Sequence, residues 1–456
     1  MKRRKSQDLL IHGSVTPGFE SVQRLFEHNM QTLAEKNTQL CIYHQGNRVV
    51  DLWASATGDT DFSADTLVNV FSSGKSLEAI ALASLVSKGL LDYNQRIIDY
   101  WPAFGGAGKH ALTVAELMRH EAGLATFNTS LNPQDLLAEN IKMNKIGRVI
   151  ESESQNYSNA GPGKREYHAM TRGWIVNEVF RRVDPAGRTI GEFLREDISE
   201  PMQADVIIGV RNTELDRIAN VVPLGFGFQL LESLKPKFLR KMENNLFQIL
   251  AKLILILPML GTSNGKRAPA PVKGMGKIKL TDPAASGNTT LKQDLNPSGT
   301  TTEFSGLNFF NEPTFRMGET PSANANCTAR GLAKLAAMMS AGGVWEGNQY
   351  LSETAWKALH DQPVVAAMGT NNFTFTQGGV AAFSEPPHPH TRMDTALNTG
   401  REGFYGWMGL GGSIFQWHPK HRIGFGYVPT SLNFLDLVNE RGKAYQAEVL
   451  RCIDNL

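Results

Sequence analysis

Apolar positions along the first hundred residues recur with two different periods. Phe19, Val22, Leu25, Phe26, Met30 and Leu33 fall at three- and four-residue spacing, which predicts an amphipathic helix over residues 19–36. The runs LCIYHQ and RVVDLWA follow, rich in β-branched and aromatic residues on either side of Gly46 and Asn47, and read as a hairpin. The chain is thus expected to open as helix then hairpin. The segment SGKSLEAIALASLVSK, residues 73–88, is apolar on most faces and stops at Gly89, a natural C-terminal cap, so it predicts a buried central helix. Helical spacing returns at residues 114–120, 171–183 and 190–198, and GGSIFQWHP and RIGFGYVP near the end read as two strands joined by a short turn. Strands near both ends around a helical middle predict an α+β fold, with one sheet completed by the last segment and a helical lobe inserted.

The pattern weakens between residues 236 and 313. Residues 266–302 are rich in Gly, Pro, Ser, Thr and Asn and read as a long surface loop or insertion. Ahead of it, Lys235, Lys237, Arg240 and Lys241 precede an apolar run, Leu246 to Leu257. A basic flank before an apolar run fits contact with a membrane surface, a lid over an acyl pocket, or a buried helix with a solvated flank; the last is preferred. The most apolar stretch, residues 246–260, is broken by Lys252 and Pro258 and is shorter than the roughly 20 residues that span a bilayer. The basic start MKRRK is not followed by the run of about 7 to 15 apolar residues of a signal peptide, so a cytoplasmic location is expected.

Composition narrows the function classes. With 456 residues, 41% apolar and 20% charged, the chain has ample material for a folded core. Its 46 basic and 44 acidic residues leave a formal charge of +2, which offers no global field for nucleic acid and suits a small, neutral substrate. Cys41, Cys327 and Cys452 are odd in number and far apart, which argues against both a disulfide framework and a metal site.

The candidate chemistry starts at Ser72-Ser73-Gly74-Lys75. A hydroxyl and an amine three residues apart at a helix start share one face, and a desolvated lysine loses enough basicity to take a proton from the serine. A polar step before an otherwise apolar helix is a poor way to build a core, and buried lysine is rare without a role. Tyr167 follows a Pro-Gly turn and directly precedes a predicted helix, and a phenol beside a cation can act as a general base. The segment Gly406 to Ser413, GWMGLGGS, brings flexible backbone to a strand entry, where the Leu410 N–H can pair with that of Ser72 as an oxyanion hole. His120 reads as structural. It shows no zinc signature, and no serine lies in a Gly-x-Ser-x-Gly elbow.

In order, DTLVNVFSSGKSLEAIALASLVSKGLLD, YWPAFGGAGKHALTVAELMRHEAGL, PGKREYHAMTRGWIVNEVFRRVDPAGRTIGEFLRE, CTARGLAKLAAMMSAGG and GWMGLGGSIFQWHP resemble the serine β-lactamase and penicillin-recognising superfamily. The resemblance covers roughly residues 17–205 and 313–430 and is nearest to class C β-lactamase-like proteins, family VIII carboxylesterases and eukaryotic β-lactamase-domain proteins. It implies Ser72 as the acylated nucleophile, Lys75 as its partner, Tyr167 as general base, and Trp407, Gly409 and Leu410 in the third active-site element. It also implies a β-lactamase/transpeptidase-like fold with an antiparallel sheet flanked by helices, and neither metal nor organic cofactor. On this reading 1–456 is one unit, with a sheet-containing lobe from 17–105 and 313–456 and a mostly helical lobe, 106–312, carrying an irregular insertion at 236–312.

Three departures bear on substrate. Tyr167-His168-Ala169 stands where the superfamily usually has Tyr-x-Asn, while a literal Tyr157-Ser158-Asn159 lies ten residues earlier. Tyr167 is preferred because it alone has the preceding Pro-Gly and the following helix. Trp407 replaces the usual Lys or His, and Met408 replaces a hydroxyl residue, so a carboxylate-bearing β-lactam or peptide loses its anchors. The leading expectation is a carboxylesterase on uncharged acyl esters; the alternatives are a β-lactamase or peptidase-type amide hydrolase, and a non-catalytic scaffold or membrane-associated protein.

Overall fold

The computed structural model describes residues 9–157, 164–243, 306–369, 371–384, 391–433 and 438–456, together with 246, 262–263, 266–267, 271–273, 275 and 435–436. Its main feature is a nine-stranded sheet in which every pairing is antiparallel. The strands are β1 (Ile11–Val15), β2 (Asn37–His44), β3 (Asn47–Ser55), β4 (Val364–Met368), β5 (Asn371–Phe375), β6 (Ala381–Ala382), β7 (Tyr405–Met408), β8 (Ile414–His418) and β9 (Ile423–Pro429). Their spatial order is β1-β3-β2-β9-β8-β7-β6-β5-β4, so β9 from the end of the chain seats beside β2 from its start.

Burial on both faces explains the composition of the central strands. Leu40 and Ile42 enter one core with Phe425 and Tyr427, whereas Cys41 and Tyr43 enter the other with Phe415 and Trp417. The first core is covered by helices α1 (Glu20–Thr32) and, at the C-terminus, α6 (Glu440–Ile453), through Phe26, Met30, Tyr445 and Val449. The second is covered by α2 (Lys75–Ser87), α3 (Thr171–Val183) and α5 (Ala329–Ser340). Helix α5 lies directly on β9 because Gly426 leaves room: a Cβ there would sit 2.4 Å from the Ala329 carbonyl oxygen. Helix α2 is buried without interruption from Lys75 to Leu85, which accounts for a sequence with no polar stripe. Gly89 follows it with φ +69°, the left-handed cap expected of that glycine.

Two expectations shift. Among the described residues the first element is β1 rather than a helix; the sequence pattern missed it because the middle three residues of that edge strand are exposed and carry no apolar alternation. The predicted helix over 190–198 is helical only to Phe193 and continues as a wider π turn through Ser199. Among the helices that the sequence pattern did not predict is α4 (Phe226–Ser233), just ahead of the weakly patterned stretch. Beyond Leu246 itself, the apolar run to Leu260 lies outside the described residues, as do Ser158 and Asn159 and most of the 244–305 stretch. No helix of the described residues is long and apolar enough to cross a membrane.

Candidate active site

Three segments converge at the start of α2. Ser72 lies in the 3-10 turn Phe71–Gly74 that leads into the helix. Phe71 before it has φ +48°, a left-handed backbone that a phenylalanine adopts at a cost of about 1–3 kcal/mol. Its N–H is held by the Asn69 side chain at 2.7 Å and its ring packs on Phe310 at 4.8 Å, so the strained turn is fixed from both sides. Tyr167 comes from the loop before α3, and Trp407 from β7.

These side chains form one hydrogen-bonded row. The Trp407 indole N–H donates to Tyr167 Oη at 3.2 Å, Tyr167 Oη lies 2.7 Å from Ser72 Oγ, and Lys75 Nζ lies 3.3 Å from the same oxygen. Lys75 Nζ also donates to the carbonyl oxygens of Ala169, at 2.7 Å, and Ser322, at 3.0 Å. Burial drives the Lys75 amine well below the ordinary lysine value; the nearby Arg172 pushes the same way and Glu78 opposes both. Burial moves Tyr167 in the other sense, raising its phenol above 10 despite hydrogen bonds with Ser72 and Trp407. A neutral amine has two N–H groups and one lone pair. Lys75 Nζ thus faces three oxygens, and an amine that is neutral and keeps its two N–H groups on the carbonyls turns its lone pair to Ser72.

Side chains behind the row fix its members. Arg172 of α3 is fully buried and pairs with Glu78 of α2 at 2.9 Å, while donating to the carbonyls of Met118 at 2.9 Å and Lys75 at 3.0 Å. Ser322 Oγ donates to the other Glu78 oxygen, which ties the acceptor of one Lys75 proton to this ion pair. His120, fully buried with φ +67°, packs at a tilt against Tyr167 at 5.0 Å and accepts the His168 backbone N–H at 3.1 Å. His168 in turn accepts the Leu124 N–H on Nε2 at 3.0 Å, so its Nδ1 carries the proton shared with the Glu166 carbonyl. Burial holds both imidazoles below their usual range, His168 at about 4, and they pack as neutral rings.

The third element is clamped to the first. Ser413 Oγ donates to the Val70 carbonyl at 2.6 Å and lies 3.1 Å from Ser73 Oγ, and Gly409 N–H closes on the Ser413 carbonyl at 2.8 Å. Gly409 sits so close to this seam that a Cβ would lie 2.3 Å from the Val70 oxygen. Gly409 and Ser413 are thereby held against the residues on either side of Ser72. Trp407 packs at a tilt on Phe375 at 5.1 Å and edge-on with Phe373 at 5.6 Å, making an aromatic wall beside Tyr167.

The structure therefore brings together Ser72, Lys75, Tyr167 and Trp407, and seats Gly409 against Val70 beside them. Tyr157 has its ring over Gly123 and its phenol bonded to Gln155 at 2.9 Å and to the Glu121 carbonyl at 3.4 Å. Sequence reasoning missed Glu78, Arg172 and Ser413. The first two are charges inside otherwise apolar helices, a signal that was open to reading.

A family model for β-lactamase matches residues 22–448. The chain belongs to the β-lactamase family. Among curated relatives, it is 33% identical over 198 residues to the Esterase/beta-lactamase LipL of Mycobacterium tuberculosis; this match covers 43% of the chain and 44% of that protein. The chain thus matches less than half of that relative's length. Solved structures with the same β-lactamase-family fold include a family VIII carboxylesterase, 23% identical with TM-score 0.68 over 97% of this chain and 100% of that one. A penicillin-binding protein homologue from Caulobacter crescentus is also 23% identical, with TM-score 0.67 over 97% and 100%. EstA from Arthrobacter nitroguajacolicus is 22% identical, with TM-score 0.68 over 97% and 98%.

Proposed function

We propose that this β-lactamase-family hydrolase is a serine carboxylesterase that acts on uncharged acyl esters through an acyl-enzyme on Ser72. The observation that carries the reading is the position of Ser72 Oγ between Tyr167 Oη at 2.7 Å and Lys75 Nζ at 3.3 Å, with Nζ also bonded to the carbonyls of Ala169 and Ser322. Ser72 Oγ attacks the ester carbonyl as its proton passes to Lys75 Nζ. The Ser72 and Leu410 N–H groups receive the developing oxyanion. As the ester C–O bond breaks, Tyr167 gives its proton to the departing alkoxide, and the Trp407 N–H steadies the phenolate that remains. Water then attacks the acyl carbon, its proton going to Tyr167 while Lys75 returns its own to Ser72 Oγ.

The substrate class follows from what lines the row. Trp407 stands where a carboxylate would need a cation, with Met408 beside it in place of a hydroxyl, and the rings of Phe373 and Phe375 pack on Trp407. The family VIII carboxylesterase among the solved structures supports the same choice, and the name of the Mycobacterium tuberculosis relative carries esterase beside β-lactamase. Intact-mass labelling with a fluorophosphonate tests the reading. One adduct on Ser72, lost in Ser72→Ala, is expected, with turnover of p-nitrophenyl butyrate far exceeding that of a chromogenic cephalosporin. A folded protein that takes no label, or that prefers the cephalosporin, would sink it.

A further inference from the structure

Helix α4 is turned inside out for a helix meeting water. Its polar side chains Gln229, Glu232 and Ser233 are buried, whereas Phe228, Leu231 and, just past its end, Leu234 face outward. The inward groups are anchored: Gln229 Nε2 donates to the Leu224 carbonyl at 2.7 Å, Ser233 Oγ to Leu230 at 2.6 Å, and Glu232 accepts the Lys241 N–H at 2.9 Å. The orientation is therefore set by specific bonds. The turn Lys237–Leu239 that follows leaves Phe238 85% exposed and Leu239 59% exposed. Half of the exposed large apolar side chains among the described residues lie between 228 and 239. Such a concentration marks an interaction surface.

Charge identifies what it meets. Lys235, Lys237, Arg240 and Lys241 are interleaved with these apolar groups, and Glu232, the acid among residues 226–241, is turned inward onto Lys235. We infer that this face docks on an anionic phospholipid membrane, with Leu231, Leu234, Phe238 and Leu239 entering the headgroup boundary and the cations meeting lipid phosphates and carboxylates. Two other occupants fit the charge poorly. The apolar run from Leu246 to Leu257 holds a single charged residue, Lys252, which adds a cation to cations. A second copy using the same face across a two-fold axis would likewise set lysine against lysine.

The face is tied to the fold by its two flanks. The Lys241 carbonyl accepts the Ala34 N–H at 2.9 Å, and the Val222–Pro223 strand before α4 pairs with Ser431–Leu432. Leu432 packs directly beneath Gly411 of the active-site turn, where a Cβ would lie 2.6 Å from it. A docked membrane thus bears on the strand that backs the Gly409–Ser413 turn.

Vesicle sedimentation of the full chain tests the inference. Binding is expected to mixed phosphatidylcholine and phosphatidylserine vesicles, weaker by on the order of tenfold or more on pure phosphatidylcholine, and reversed by salt. Lys237→Glu with Lys241→Glu should reproduce the loss, as should Phe238→Ser with Leu239→Ser, while melting and hydrolysis of a soluble ester stay unchanged in both. Failure of the folded protein to bind the mixed vesicles, or binding that ignores lipid charge and both pairs of substitutions, overturns it. So does a concentration-dependent dimer that Phe238→Ser dissolves in the absence of vesicle binding.

Discussion

Lys75 and Tyr167 are pushed in opposite directions by the same burial, and that separation assigns their work. Lys75 must be neutral to accept a proton, so turnover rises as pH climbs through its lowered value. Tyr167 must be protonated to release the alcohol, so turnover falls as pH passes its raised value. The rate profile is expected to be a bell whose acid limb belongs to Lys75 and whose alkaline limb belongs to Tyr167. Lys75→Arg, charged at every pH used, should be inactive throughout. Tyr167→Phe should lose roughly a hundredfold or more in kcat and retain no alkaline limb. Stability carries a matching signature. Between the folded value and the ordinary 10.5, the unfolded chain binds a proton that folded Lys75 refuses, so this residue makes stability rise with pH across that window. The Ser72 and Lys75 pair was legible because helical spacing alone places them on one face. The carbonyls of Ala169 and Ser322 that prepare the amine were not, since every residue offers the same carbonyl and only the fold selects which ones arrive.

Between elements, the Glu78–Arg172 pair joins α2 to α3 in a fully buried setting. Arg172 also bonds the carbonyls of Lys75 and Met118, so removing one partner strands a charge rather than a surface contact. Glu78→Gln or Arg172→Met is expected to cost about 3–5 kcal/mol in denaturant unfolding, and the double substitution less than the two added. Additive losses would show that the two charges act independently. Helices α2 and α3 were readable from their apolar spacing, and β8 and β9 from their β-branched and aromatic content. Strand β1 was not, because three of its five residues face solvent. The same limit hid α4, whose outward apolar face inverts the usual pattern.

Across the whole molecule, Arg165 links the loop bearing Tyr167 to the far edge of the sheet. Its buried guanidinium donates to the carbonyl of Phe373 at 2.7 Å and of Val364 at 3.3 Å, and pairs with Glu121 at 2.8 Å. Arg165→Ala should lower the melting temperature and reduce kcat by roughly ten- to a hundredfold through misplacement of the phenol. Unchanged turnover with a lowered melting temperature would confine the residue to stability. The paired contributions of chain start and chain end to one sheet were legible as strands at both termini, but the nine-strand order required long-range pairings that no local pattern encodes.

The two carbonyls that hold Lys75 come from residues 94 and 247 positions further along the chain, and the clamp from Ser413 to Val70 spans 343. During refolding from denaturant, helical signal should therefore return well before ester turnover, since closing such loops is slow and each must be complete before the amine is held with its lone pair on the serine. Stopped-flow circular dichroism beside a coupled activity assay would show the lag. Newly made or partly folded copies are consequently chemically silent, and the hydrolase becomes reactive only once the last long-range contact has formed.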